Sequence, residues 1–125
     1  MSIIYIDDDD DDISIFQEAL ERIDRSIVFQ AFTNGFDALD YLEHANTLPD
    51  YLFLDINMPR MTGKEILRYL KQDQRLKVIP VIIFTTSNFE HEVKSFYQEG
   101  ASGFIHKGFS ITEIQADIAG VLKFN

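Results

Sequence analysis

A chain of 125 residues is the size of one domain, and with 46% hydrophobic residues it can bury a genuine core. Eleven basic against twenty-one acidic residues give a formal charge of −10, which argues against nucleic acid as a partner, because that binding depends on neutralising phosphates. Cysteine is absent, which excludes disulfides and thiolate zinc sites and suits a cytoplasmic location; no apolar run reaches the length of a membrane span, and the apolar start at Ile3–Ile6 is too short for a signal peptide.

Residues 2–6 form a β-rich apolar run that ends in six consecutive aspartates, Asp7 to Asp12. Ile13, Phe16, Ala19, Leu20 and Ile23 then recur at helical spacing with one apolar face. A second β-type run, 27–32, stops at the turn signal Thr33-Asn34-Gly35, and Phe36, Leu39 and Leu42 mark a second helix closed near Leu48-Pro49. Tyr51 to Leu54 is a third strand, leading directly into Asp55. Ile66, Leu67 and Leu70 give a third helix, and residues 78–84 a fourth strand in which Pro80 is tolerable only near the start. Val93, Phe96 and Tyr97 mark a fourth helix ending at Gly100. Residues 103–106 make a short fifth strand. Ile111, Ile114, Ile118, Val121 and Leu122 stripe a last helix, with Ser110 as its expected N-cap.

Strand followed by helix, five times over and without a linker or repeat, predicts a single doubly wound α/β domain over 1–125 with a five-stranded parallel sheet and five helices. The continuous apolar strands agree, since such strands are buried on both faces. Ligands of open α/β sheets bind beyond the carboxyl ends of the strands, where the strand order reverses. The residues at those ends are Asp7 and Asp8, Thr33, Asp55, Thr85, and His106 with Lys107. With the order 2-1-3-4-5, Asp7, Asp8 and Asp55 meet at the reversal. Two like charges about 4 Å apart at an effective dielectric near ~20 repel by about 4 kcal/mol. Such a cluster needs protonation, a base such as Lys107, or a hard divalent cation. Carboxylate and carbonyl oxygens with waters suit Mg²⁺ better than calcium, with Mn²⁺ able to substitute.

The set Ile6-Asp7-Asp8, Leu54-Asp55-Ile56-Asn57-Met58-Pro59 with Met61 and Gly63, Phe84-Thr85-Thr86-Ser87, Gly100-Ala101-Ser102-Gly103-Phe104 and Lys107 resembles the receiver domain of two-component response regulators, over essentially the whole chain. The resemblance implies a flavodoxin-like fold and a phosphoryl group accepted on Asp55 from the phosphohistidine of a sensor histidine kinase or phosphotransfer protein. It implies Mg²⁺ held by Asp8, Asp55 and the backbone carbonyl of Asn57, with Asp7 bound through water. It also implies Thr85 and Lys107 as partners of the phosphoryl oxygens, and Thr85 with Phe104 as a switch. A downstream protein target would be met through helix 4, strand 5 and helix 5. The chain then reads as a stand-alone regulator, a monomer or weak homodimer without an output domain, and no enzyme beyond promoting its own phosphorylation and dephosphorylation. Phosphoryl transfer asks mainly for positioning and charge neutralisation, which a cation, an ammonium and a hydroxyl around one carboxylate supply.

Plainer readings stand beside these. Asp9 to Asp12 read as solvated charge that complements a helix start. Asp7, Asp9, Asp11 and Glu18 fit a calcium-loop spacing, but Asp12 stands where that loop needs glycine, and a strand precedes it. His44, His91 and His106 lack zinc spacing and read as surface residues. Phe89, Phe109 and Phe124 are expected to be partly exposed near the last two helices. Asn57 and Ser87 flank the expected path of hydrolytic water. The receiver pattern has proline after the lysine, where this chain has Gly108; the Lys107–Gly108 peptide is therefore either trans with glycine torsions or a cis bond costing ~2.5–4 kcal/mol.

Competing functions on the same fold are a phosphatase, disfavoured because Asn57 stands where a second acid is needed, and a flavin binder, disfavoured because six aspartates follow the first strand. A relay passing the phosphoryl group to a further histidine protein, and a receiver that binds partners without being phosphorylated, are variants of the leading reading.

Overall fold

The computed structural model describes residues 1–86 and 90–122, leaving aside the side chains of Glu90 and His91. The expectations for Ser87, Phe89, His91 and Phe124 lie outside the described residues. The elements run β1 (Ser2–Ile6), α1 (Asp10–Ile23), β2 (Val28–Phe32), α2 (Gly35–His44), β3 (Tyr51–Leu54), α3 (Gly63–Gln72), β4 (Val81–Thr85), α4 (Glu90–Gln98), β5 (Gly103–His106) and α5 (Ile111–Leu122), with a 3₁₀ turn at Leu76–Val78. The sheet order is β2-β1-β3-β4-β5, and every pairing is parallel, as the βα alternation requires.

Alternation along each strand sorts the core into two layers. Ile4, Ile6, Leu52, Leu54, Val81 and Ile83 face α2, α3 and α4 through Ala38, Leu42, Ile66, Leu70 and Phe96. Ile3, Tyr5, Phe53, Ile82 and Phe84 face α1 and α5 through Phe16, Ala19, Leu20, Ile114 and Ile118. Each fully buried large side chain in these layers contributes ~1.5–3 kcal/mol by leaving water. The second layer is aromatic: Phe16 stacks on Tyr5 with centroids 4.3 Å apart and meets Phe53 and Phe84 edge-on.

Local chemistry sets the helix ends. Asp9 has extended torsions and accepts from the amides of Asp11 and Asp12, so α1 starts with Asp10, Asp11 and Asp12 in its first turn. Thr62 and Glu65 form a reciprocal capping box at the start of α3. Ser110 Oγ accepts from the Glu113 amide at 3.2 Å, as expected of the N-cap of α5.

Three expectations change. Val78 and Ile79 are not strand: Pro80 has no N–H for the ladder, its carbonyl accepts from the Leu52 amide at 2.9 Å, and β4 starts at Val81. Phe36 is not the core face of α2; it is 54% exposed, and Ala38, Leu39 and Leu42 turn inward. Likewise Phe96 is the buried aromatic of α4 while Tyr97 is exposed. The peptide after Lys107 is trans, and Gly108 does not take a left-handed conformation. Space explains the glycine instead: a Cβ there would lie 2.6 Å from Glu113 Oε2, the carboxylate that also accepts from the Phe109 amide.

Candidate functional site

β1 and β3 are neighbours whose connections leave on opposite faces of the sheet, so their carboxyl ends open a crevice. The Asp7 amide donates to the Phe32 carbonyl and the Asp55 amide to the Ile6 carbonyl, which extends the ladders to the two acids and fixes where they stand. Asp7, Asp8 and Asp55 each offer a carboxylate oxygen, and these oxygens lie within 4.8 Å of one another. Asp7 is completely buried, Asp55 is 7% exposed, and Asp8 faces solvent.

Beyond Asp55 the chain makes a tight loop back to α3. Ile56 and Met58 anchor it in the core, and the Gly63 amide closes it on the Ile56 carbonyl. Gly63 is required by proximity, since a Cβ would sit 2.6 Å from the Ile56 Cα and 2.9 Å from the Asp55 carbonyl oxygen. Arg60 adopts φ 66°, a left-handed conformation that costs a non-glycine residue about 1–2 kcal/mol.

On the other side, Thr85 ends β4, fully buried, and Asn57 Nδ2 reaches its hydroxyl at 3.5 Å. Lys107 follows β5, and its amide donates to the Thr85 carbonyl at 2.7 Å. The ammonium is 8% exposed as a residue and donates to Asp7 Oδ2 at 2.8 Å and to Asp12 Oδ2 at 2.9 Å. It also lies 5.5 Å from the Phe84 ring centroid.

The electrostatics follow from this crowding. Burial pushes the Asp55 carboxyl up to about 6, with Asp7 adding to the rise; the Lys107 ammonium and the amides of Asn57 and Ile56 pull the other way. Burial alone would lower the Lys107 pKa, but its bonds to Asp7 and Asp12 and the field of Asp55 outweigh that and raise it. A carboxylate whose ionised form is disfavoured by burial and by the adjacent Asp7 gains from a nearby cation.

The acid set fits a hard divalent ion. Its donors are carboxylate oxygens, one of them at the solvent edge, and the Asn57 carbonyl belongs to the same loop. Asp7 is the least available: Oδ2 accepts from Lys107 and from the Tyr5 hydroxyl, and Oδ1 from the Asp9 amide at 3.0 Å. That occupation suits a role through water rather than direct ligation.

Asp7, Asp8, Asp55, Asn57, Thr85 and Lys107 are thus brought together. Phe104 is not among them: it is half-buried on the α4 side of the sheet, 6.3 Å from the Phe96 ring. Thr33 stays exposed beside Asp8 at the rim. His44 and His106 are exposed and bonded to backbone carbonyls, and Phe109 is 98% exposed. Asp12 is not merely solvated charge, because it shares Lys107 with Asp7. The calcium-loop spacing is also dismissed, since Asp9 spends its side chain capping α1.

Two residues that sequence reasoning passed over belong to the site. Tyr5 had a legible signal: two residues before Asp7 in a strand, it shares that residue's side of the sheet. Asp12 had none, because its partner lies 95 residues away.

The doubly wound sheet thus carries an acid cluster at its switch point, faced by a buried lysine and threonine, an arrangement whose donors fit a divalent cation. The family model for the response regulator receiver domain matches residues 3–119, and the chain belongs to that family. It is 30% identical to the chemotaxis protein CheY1 of Helicobacter pylori over 100% of this chain and 99% of that protein. Among solved structures it is similar to the phosphorylated cyanobacterial phytochrome response regulator RcpA (TM-score 0.89, 28% identity, covering 98% of this chain and 91% of that one). The Mn²⁺-bound form of the response regulator Rcp1 is also similar (TM-score 0.85, 26% identity, covering 98% and 92%). Among the described residues no helix is long and apolar enough to cross a membrane.

Proposed function

We propose that this receiver takes a phosphoryl group on Asp55 from the phosphohistidine of a sensor histidine kinase or phosphotransfer protein, and signals through the surface change that follows. An Asp55 carboxylate oxygen forms the bond to phosphorus as the phosphorus–nitrogen bond breaks; the imidazole keeps the electron pair and is protonated from solvent. The observation that carries this reading is the convergence of Asp7, Asp8 and Asp55 with the buried Lys107 beside them. Asp8, Asp55 and the Asn57 carbonyl would hold Mg²⁺ or Mn²⁺, with Asp7 acting through water. The cation supplies neutralisation of the charge on the phosphoryl oxygens. Lys107 and the Thr85 hydroxyl bind the remaining phosphoryl oxygens, and the loop from Asp55 to Gly63 holds the nucleophile in place.

Thr85 moving toward the phosphoryl group opens space at β4 and β5 for Phe104 to repack, which carries the change to the α4, β5 and α5 face where a target protein docks. The exposed Phe109 borders that face. Moving a two-state equilibrium from 1:99 to 99:1 takes ~5.5 kcal/mol of differential binding, within reach of one phosphoryl group with its cation, Thr85 and Lys107. The test is incubation with Mg²⁺ and acetyl phosphate, followed by intact mass. The wild type gains one phosphoryl group and Asp55→Asn gains none; an unlabelled wild type, or equal labelling of both, overturns the proposal.

A further inference from the structure

The Tyr5 hydroxyl is out of place by the standards of its surroundings. Its ring is completely buried among Phe16, Phe53 and Phe84, a setting that a phenylalanine would fill. A hydroxyl carried into such a layer costs free energy unless it is bonded. Its partner is the buried carboxylate of Asp7, through Oδ2. That same oxygen accepts from Lys107 at 2.8 Å, so one carboxylate oxygen has two side-chain donors. The two differ in freedom. Tyr5 is fixed in β1 by stacking on Phe16, whereas Lys107 is an ammonium on a flexible stem with three donors, two of them spent on Asp7 and Asp12.

On the reading that Lys107 binds a phosphoryl oxygen, it must turn from these two acids when Asp55 is modified. Leaving Asp7 costs little only if another donor stays on it, because an orphaned buried carboxylate is strongly unfavourable. The Asp9 amide at 3.0 Å on Oδ1 is one such donor; the Tyr5 hydroxyl is the other, and it serves the oxygen that Lys107 vacates. Asp12, half-exposed in the first turn of α1, acts in the opposite sense by holding the ammonium in its resting place.

We propose that Tyr5 is a positioning residue of the phosphoryl site, whose hydroxyl keeps the Asp7 carboxylate satisfied and so releases Lys107 to the phosphoryl group, while Asp12 retains Lys107 in the resting state. The proposal rests on the phosphoacceptor reading of Asp55.

Beryllofluoride, a phosphoryl mimic that needs the same lysine, separates the two. Titration calorimetry on the wild type, Tyr5→Phe and Asp12→Asn gives two affinities for each: Mg²⁺ alone, and beryllofluoride at saturating Mg²⁺. Tyr5→Phe keeps the ring and is expected to bind beryllofluoride about tenfold more weakly, the equivalent of one charge-assisted hydrogen bond, with Mg²⁺ affinity unchanged or tighter. Asp12→Asn is expected to bind beryllofluoride about threefold more tightly, because one competitor for the ammonium is gone. A merely structural role for Tyr5 would weaken Mg²⁺ and beryllofluoride together, and that result overturns the proposal. So does a Tyr5→Phe variant with wild-type beryllofluoride affinity, or weaker binding by Asp12→Asn. A wild type that binds Mg²⁺ but no beryllofluoride overturns the phosphoacceptor reading itself along with this one.

Discussion

Replacing Asp55 by Asn is expected to stabilise the metal-free protein at neutral pH. Burial and the field of Asp7 move the Asp55 carboxyl from 3.8 up to about 6. The sign follows from proton binding: between about pH 4 and 6 the folded state holds more of this proton than the unfolded chain, so stability falls as pH rises through that window. Above it the penalty is fully present. At roughly 1.4 kcal/mol per pKa unit the ceiling is ~3 kcal/mol, and partial relaxation of the site leaves about 1–3 kcal/mol. Asparagine keeps the shape and removes the charge. In EDTA at about pH 7.5 its melting temperature should exceed that of the wild type by roughly 4–10 °C, and the two curves should converge near pH 4. On the proposed reading that the folded acid cluster holds Mg²⁺, saturating Mg²⁺ should then raise the wild type preferentially. Thermal denaturation followed by circular dichroism across that pH range, with and without Mg²⁺, measures all of this. A wild type as stable as the Asn variant in EDTA at neutral pH, or a gap that persists at pH 4, would refute the claim that burial penalises the Asp55 carboxylate more than its neighbours compensate it.

The remaining predictions test the supports of the site. Lys107→Met removes the ammonium shared by Asp7 and Asp12; because the Tyr5 hydroxyl and the Asp9 amide stay on Asp7, it should cost only about 1–2 kcal/mol of stability in EDTA, read by urea denaturation, and less in Mg²⁺. Gly63→Ala forces a methyl against the Asp55–Ile56 backbone and should cost about 1–3 kcal/mol while weakening Mg²⁺ binding in calorimetry, since the carbonyls of that loop must shift.

The continuous apolar strands and the helical spacing between them were enough to read the layered fold, because a parallel sheet covered on both faces leaves that pattern in the chain. Its failures are local and have physical causes. Pro80 removes a ladder donor and turns Val78 and Ile79 out of β4, an effect that an apolar run conceals. Phe36 and Tyr97 look like core residues, yet the smaller Ala38 and the better-placed Phe96 take the inward positions. At the site, the acids, Thr85 and Lys107 were legible because each stands at the carboxyl end of a strand. Asp12 was not, since nothing in a run of six aspartates tells which one a lysine from β5 will reach. At Gly108 the sequence left open a trans peptide with glycine torsions or a cis one; the peptide is trans without a left-handed torsion, and the nearby Glu113 side chain crowds the place of a Cβ.

The central claim is that Asp55 becomes an acyl phosphate. Borohydride reduces such a mixed anhydride to an alcohol and leaves free carboxylates alone, so it marks the residue that carried the phosphoryl group. After incubation with Mg²⁺ and acetyl phosphate, borohydride treatment and peptide mapping should find homoserine at position 55 and aspartate at every other acid of the cluster. Homoserine at Asp7 or Asp8, or its absence from a sample whose intact mass shows one phosphoryl group, would contradict the account.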